Sequence, residues 1–185
     1  MQHRDRDELE AGLATVREAP AAAGELRLIC RRPAEEEREL LDRGELDTER
    51  GLVGDDWERR ADRRSADGSP LLDAQVTIMG ARAAALVSGS EELEGWAPAG
   101  DQLYVDLDLS ADNLPAGTRL RIGEAVLEVT AEPHLGCGKF SSRFGVDALK
   151  LVNSDAGREL RLRGINARVA EPGEITVGDP VEKLA

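Results

Sequence analysis

Cysteine is scarce in this chain of 185 residues; Cys30 and Cys137 are the only two. Two thiols cannot build the disulfide framework of a small secreted domain, nor a four-thiolate zinc site. Histidine is equally scarce, with His3 and His134 alone, so a metal centre made of several imidazoles is excluded. Aromatic residues make up 3%, which disfavours a base-stacking surface. Positive charge is in deficit: 24 Lys and Arg stand against 37 Asp and Glu, for a net charge of −13. Polyanions are repelled by most of such a surface, so neither nucleic acid nor a membrane is an expected partner. No apolar run approaches the length of a transmembrane helix. The opening MQHRDRDELE is charged where a signal peptide needs an apolar stretch, so the expected location is the cytoplasm. A Walker loop, GxGxxG, HExxH and a serine nucleophile elbow are all missing.

What remains is one domain's worth of chain, 41% hydrophobic and 33% charged, long enough to bury a single core. Residues 1–19 predict a surface helix, with Leu9, Leu13 and Val16 at helical spacing. ELRLIC (25–30) reads as a strand with Leu26, Leu28 and Cys30 on one face. AEEERELL (34–41) suggests a short helix, and residues 43–70, rich in Gly, Asp and Arg, a long loop. From residue 73 the period is mostly two. QVTIM (75–79) and QLYVDLDL (102–109) predict strands, with an Ala-rich helix at 81–87 between them. TRLRI and AVLEVTA flank Gly123-Glu124, a hairpin signal. Residues 146–162 look helical, and NARVA, EITV and VEKL are further short strands. Many short strands punctuated by Gly turns point to a mainly β fold, a barrel with peripheral α-helices.

The segment PHLGCGKFSSRFG (133–145) carries the most chemistry. Cys137 stands between two glycines, with His134, Lys139 and Arg143 close in sequence. Cations near a thiol favour the thiolate, the form that attacks electrophiles and binds metals. The alternative is a small buried hydrophobe, and that is the reading for Cys30, in phase with Leu26 and Leu28. Arg31, Arg32, Arg59, Arg60, Arg63 and Arg64 form local basic clusters. They suit either an anion site or a solvated, acid-balanced surface. Asp55 and Asp56 suggest a Gly-Asp turn more simply than a paired-carboxylate site. Trp57 and Trp96 read as packing residues or loop anchors.

Several of these segments together resemble a known family. GLVGDDW (51–57), QVTIM, LSADNLPAGTRLRIGEAVLEVT (109–130), PHLGCGKF (133–140) and GINARVAEPGEITVGDPV (164–181) are similar, in order, to the MOSC domain. That domain is named after the C-terminal part of molybdenum cofactor sulfurase. The resemblance runs from about Leu26 to Val181 and implies a MOSC-type β-barrel over residues 25–185. Residues 1–24 are then an N-terminal helical arm outside it. In amidoxime-reducing members the matching cysteine binds the molybdenum of a pterin cofactor. The resemblance therefore assigns Cys137 as catalytic residue and metal ligand. Asp55 matches a family motif. Many relatives carry an Arg-Asn pair where this chain has Asp101 and Gln102, which removes a cation.

Two functional readings follow, with a degenerate binding module as a third. In the first, Cys137 ligates molybdenum cofactor (molybdopterin), and the site reduces or detoxifies N-hydroxylated compounds with the help of a redox partner. Arg59, Arg60, Arg63, His134, Lys139, Arg143 and Asp55 are its candidate cofactor-binding residues. Soft thiolate ligation suits such a centre. In the alternative, the chain is a non-catalytic sulfur carrier whose Cys137 receives sulfane sulfur from a PLP-dependent cysteine desulfurase.

Overall fold

The structure is a computed structural model and describes residues 3–60 and 67–185. Its centre is a closed barrel of seven strands. These are β1 (Ala23–Arg31), β5 (Val76–Gly80), β6 (Leu103–Asp106), β7 (Arg119–Ile122), β8 (Ala125–Val129), β9 (Ile165–Glu171) and β11 (Pro180–Lys183). Around the barrel the order is β1-β11-β7-β8-β9-β5-β6 and back to β1. Only β5 and β6 run parallel, joined by the right length of chain to hold helix α3 (Ala81–Ser88). Closure gives every barrel strand two neighbours, although β11 covers only Ala23–Glu25 of β1 and leaves its far end free of barrel strands on that side. Strand β2 (Glu39–Leu41) extends β1 outward, and β10 (Gly173–Thr176), β3 (Arg43–Asp47) and β4 (Gly51–Leu52) form a separate small sheet.

Two hydrophobic clusters account for the layers. The barrel interior holds Leu26, Ile29, Ile78, Leu103, Val105, Leu120, Leu127, Ala167 and Val181, among others. A second cluster lies between the outer face of β1, β5 and β6 and the helices, and includes Leu28, Cys30, Met79 and Tyr104. These three strands are buried on both faces, which is why Leu103, Tyr104 and Val105 are all buried in succession. The scarce aromatic residues concentrate here. Trp96, Tyr104, Phe140 and Phe144 all belong to the helical layer, where their area compensates for short helices.

Helix α1 (Arg6–Ala11) opens with a capping box from Asp5 and Glu8, and α2 (Leu13–Arg17) follows it. Leu9 is fully buried against the helical layer, which also contains α4 (Gly138–Phe144), α5 (Val146–Asn153) and α6 (Asp155–Glu159). The hairpin at Gly123-Glu124 is present as expected, joining β7 and β8. Gly123 takes φ +54 there, with the Asp179 carboxylate lying where a side chain would stand.

Three local expectations are corrected. The predicted single helix over 1–19 is two short ones. The helix expected over 34–41 is instead a turn and strand β2: Ile29, Cys30 and Arg31 offer β1 backbone groups to Leu41, Leu40 and Glu39, and this pairing outweighs local helix preference. The loop expected over 43–70 contains β3 and β4, whose Leu46 and Leu52 enter the barrel core. The phase of β1 also differs. A bulge between Leu26 and Leu28 turns Leu26 and Ile29 inward and leaves Leu28 and Cys30 facing the helices.

Candidate functional site

At one end of the barrel, five chain segments converge. Arg32 follows β1, Asp55 follows β4, Asp101 precedes β6, residues 133–137 follow β8, and Arg163 precedes β9. Two buried ion pairs organise them. Arg32 donates to both oxygens of Asp55, from Nε at 2.9 Å and Nη2 at 2.8 Å, and from Nη1 to the Gly100 carbonyl at 2.8 Å. Arg163 donates from Nη1 to Asp101 at 2.6 Å and from Nη2 to the Ala99 carbonyl at 3.0 Å. Its guanidinium lies 5.3 Å from the Phe140 ring centre. Burial works against the Arg32 charge, but Asp55 more than offsets it and the guanidinium is held more strongly protonated.

Asp101 is fully buried, and its second oxygen accepts from His134 Nε2 at 2.7 Å. Burial alone would raise the Asp101 carboxyl; Arg163 and His134 outweigh it and hold it below the usual range. His134 moves downward, because burial and then the nearby Arg163 disfavour its protonated form more than Asp101 favours it. The imidazole is therefore neutral near pH 7 and donates Nε2–H to Asp101.

Beside these pairs opens a cleft of about 540 Å³, lined by Cys137, the cations Arg32, Arg38, Arg60, Lys139, Arg143 and Arg163, and the acids Glu35, Glu36 and Asp56. A neighbouring hollow of about 450 Å³ shares Arg32, Arg60, Gly100 and Arg163 with it, and adds Trp57, His134 and Leu135. Cys137 is exposed on the cleft wall at the N-terminal end of α4. Its backbone is extended, at φ −124° and ψ −179°, so the flanking glycines do not serve a strained thiol. Gly136 instead permits close packing, since a Cβ there would come within 2.8 Å of Leu149 and Val152. Asn153 clasps the same residue, accepting from its N–H at 3.0 Å and donating to its carbonyl at 3.1 Å. That clasp sets the approach of the chain to Cys137.

The residues proposed from sequence separate into groups. Cys137, Arg60, Lys139 and Arg143 line the cleft, and His134 lines the adjoining hollow. Asp55 is buried and committed to Arg32, Trp57 N–H and Gln102, so it braces the cleft rather than facing it. Arg59 is turned away to the Pro33 carbonyl. Arg63 lies outside the described residues, as does Arg64. Cys30 is in the core as expected, and burial pushes its thiol up to about 11.

Sequence reasoning missed three residues. Arg163 supplies a cation beside Asp101, at the place where Asp101 and Gln102 stand instead of an Arg-Asn pair. Arg38 lines the cleft with no carboxylate partner among the described residues; its Nη1 donates to the Glu37 carbonyl and its buried Nε has no hydrogen-bond partner. Asn153 ends α5. Arg163 directly follows the helix predicted over 146–162, whereas Arg38 and Asn153 lie inside the helices predicted over 34–41 and 146–162, and nothing local marks either as a site residue. Among the described residues, no group of three His, Cys, Asp or Glu side chains could hold a metal ion. No helix among them is long and apolar enough to cross a membrane.

A barrel of this topology with an exposed thiol in a cationic cleft defines a class, and comparison with known proteins names it. The MOSC domain matches residues 55–182, and the chain belongs to that family. Among solved structures it is similar to YuaD protein from Bacillus subtilis, at 18% identity and a TM-score of 0.64, over 87% of this chain and 95% of that one. YiiM from Escherichia coli is similar at 20% identity and a TM-score of 0.56, over 87% and 70%. YiiM from Geobacillus stearothermophilus is similar at 15% identity and a TM-score of 0.55, over 90% and 75%. At these identities the likeness concerns the fold. No curated protein matches the sequence.

Proposed function

We propose that the cleft binds a molybdenum-pterin cofactor, with the Cys137 thiolate as the protein's ligand to the metal. The observation that carries this reading is the pairing of an exposed thiol with a local surplus of cations in a chain of net charge −13. The donor set suits the group. One thiolate, outside any group of three His, Cys, Asp or Glu side chains among the described residues that could hold a metal by themselves, fits a metal that arrives with its own sulfur ligands. An anionic phosphate on such a cofactor suits Arg38, whose buried Nε lacks a partner, together with Arg143 and Lys139.

When bound, such a cofactor supplies two-electron redox chemistry at the metal. The chain's own contribution is to hold and shield. The Asn153 clasp and the packing of Gly136 orient the thiol. Arg32 and Arg163, each paired with a buried carboxylate of Asp55 or Asp101, form a rigid wall of fixed hydrogen-bond donors. His134 in the adjoining hollow can accept a proton at Nδ1 while Nε2 remains on Asp101. Reduction of an N-hydroxylated compound to the amine consumes two electrons and two protons and releases water. It therefore needs an external redox partner.

The test is to produce the protein in a host that makes the cofactor and to measure molybdenum by elemental analysis in the wild type and in Cys137→Ala. Near-stoichiometric metal that is lost in the variant supports the reading. Metal-free wild type overturns it, and an added sulfur atom on Cys137 in the mass spectrum would then favour sulfur transfer.

A further inference from the structure

The cleft is crowded at its mouth by an anion from the chain itself. The turn of residues 33–38 joins β1 to β2 and carries Glu35 and Glu36 against α4. Glu36 accepts from Arg143 Nη2 at 2.6 Å and from Lys139 Nζ at 3.2 Å, and Glu35 accepts from Lys139 Nζ at 2.9 Å. These partners lie more than a hundred positions away in sequence.

The turn holds Glu36 in a conformation that a glutamate rarely adopts. Its φ is +61°, and Arg161 is the only other non-glycine residue with positive φ among those described. Such a backbone persists only where its surroundings over-determine it. Here the surroundings include the two cations. Their hydrogen bonds also hold the Glu36 carboxyl below its ordinary range, so it stays ionised.

The space beneath is shaped for an anion as well. Gly100 has no side chain, and a Cβ there would lie 3.5 Å from Arg38 Nη2 and 3.7 Å from Arg143 Nη1. Two guanidiniums thus approach one spot over bare backbone, Arg143 Nη1 donating to the Pro98 carbonyl at 2.8 Å, and of the two only Arg143 has a carboxylate partner among the described residues.

From this arrangement we propose that Glu36 is an internal competitor for the phosphate end of the cleft's ligand. It must leave Arg143 and Lys139 before a phosphate monoester can bind there. The 33–38 turn is then a strap whose release accompanies loading. The inference rests on the reading of the cleft as an anion site.

Calorimetric titration of the full chain with inorganic pyrophosphate tests it. The set comprises the wild type, Glu36→Gln, Glu36→Gly, Arg143→Gln, and Glu94→Gln as a control for net charge at an exposed acid outside the cleft. Glu36→Gln and Glu36→Gly should both bind roughly three- to tenfold more tightly than the wild type and Glu94→Gln, the size that releasing two partly exposed ion pairs allows. Arg143→Gln should bind more weakly. If Glu36→Gln matches Glu94→Gln while Arg143→Gln still weakens binding, the cleft takes anions but Glu36 does not compete, and this inference alone is overturned. A gain in Glu36→Gly alone would assign the effect to the backbone and overturn it too. No binding in any variant, or binding indifferent to Arg143, overturns both the strap and the anion-site reading.

Discussion

Arg163 and Asp101 meet at 2.6 Å across 62 positions of sequence, both nearly inaccessible to water. This pair joins the segment entering β6 to the segment entering β9, and through His134 it ties down the segment that leads to Cys137. The same carboxylate thus supports the cleft wall and the thiol loop.

Removing Asp101 should be severe. Asp101→Ala would leave the Arg163 guanidinium buried without its counter-charge and His134 without its acceptor. The expected loss is about 3–5 kcal/mol of folding stability, the range for breaking one side of a buried pair. Urea denaturation followed by circular dichroism measures it. A loss under 1 kcal/mol would contradict the role given to the pair.

Acid should weaken the fold through His134. Its folded value lies below the ordinary 6.5, so as pH falls the unfolded chain takes up this proton first. The contribution is fully present above about pH 6.5 and is lost on descent through the folded value, with a slope of at most about 1.4 kcal/mol per pH unit. Asp101 acts in the same direction at lower pH, beginning near its ordinary 3.8. Stability of His134→Gln, which keeps a donor for Asp101, should fall less than that of the wild type between pH 7 and 5. Parallel curves would refute the assignment.

The two thiols should differ sharply in reactivity. Cys137 is exposed, whereas Cys30 is fully buried with its thiol pushed up to about 11. Iodoacetamide at pH 7.5 (a value of about one unit below the free thiol's 8.5) should label Cys137 alone in the native protein and both in denaturant. Mass spectrometry of tryptic peptides reads the ratio, expected to exceed roughly tenfold. Comparable native labelling would mean that Cys30 is not held in the core.

Asn153 should matter for the thiol without touching it. Asn153→Ala leaves the N–H and carbonyl of Gly136 without their clasp, with an expected loss of about 1–3 kcal/mol. Its alkylation rate at Cys137 should change while Cys30 stays protected. An unaltered rate would show that packing of Gly136 against Leu149 and Val152 suffices.

The legible parts of the chain were those governed by local pattern. The hairpin at Gly123-Glu124, strand β5 and helix α3 follow from alternation, Gly turns and an Ala run, and each is present. Residues 34–41 misled because their acids favour a helix locally, while the open edge of β1 rewards a strand more. Residues 43–70 misled because β3 and β4 are short and gain their burial only when Leu46 and Leu52 reach the barrel core. In the site, Cys137, Lys139 and Arg143 share one segment and were visible together. Arg163, Arg38 and Asn153 come from distant segments, and no spacing rule links them to the thiol.

The chain alone pointed to its barrel class, to Cys30 as a core residue and to the segment that bears Cys137, because these rest on periodicity, on motif order and on neighbours within a few residues; that Cys137 is exposed came from the fold. Only the tertiary structure decided which arginines face the cleft, which carboxylates neutralise them, and that Glu36 leans across its mouth. Those choices depend on ion pairs between segments that closure of the barrel brings together, and pairing over such separations leaves no local trace.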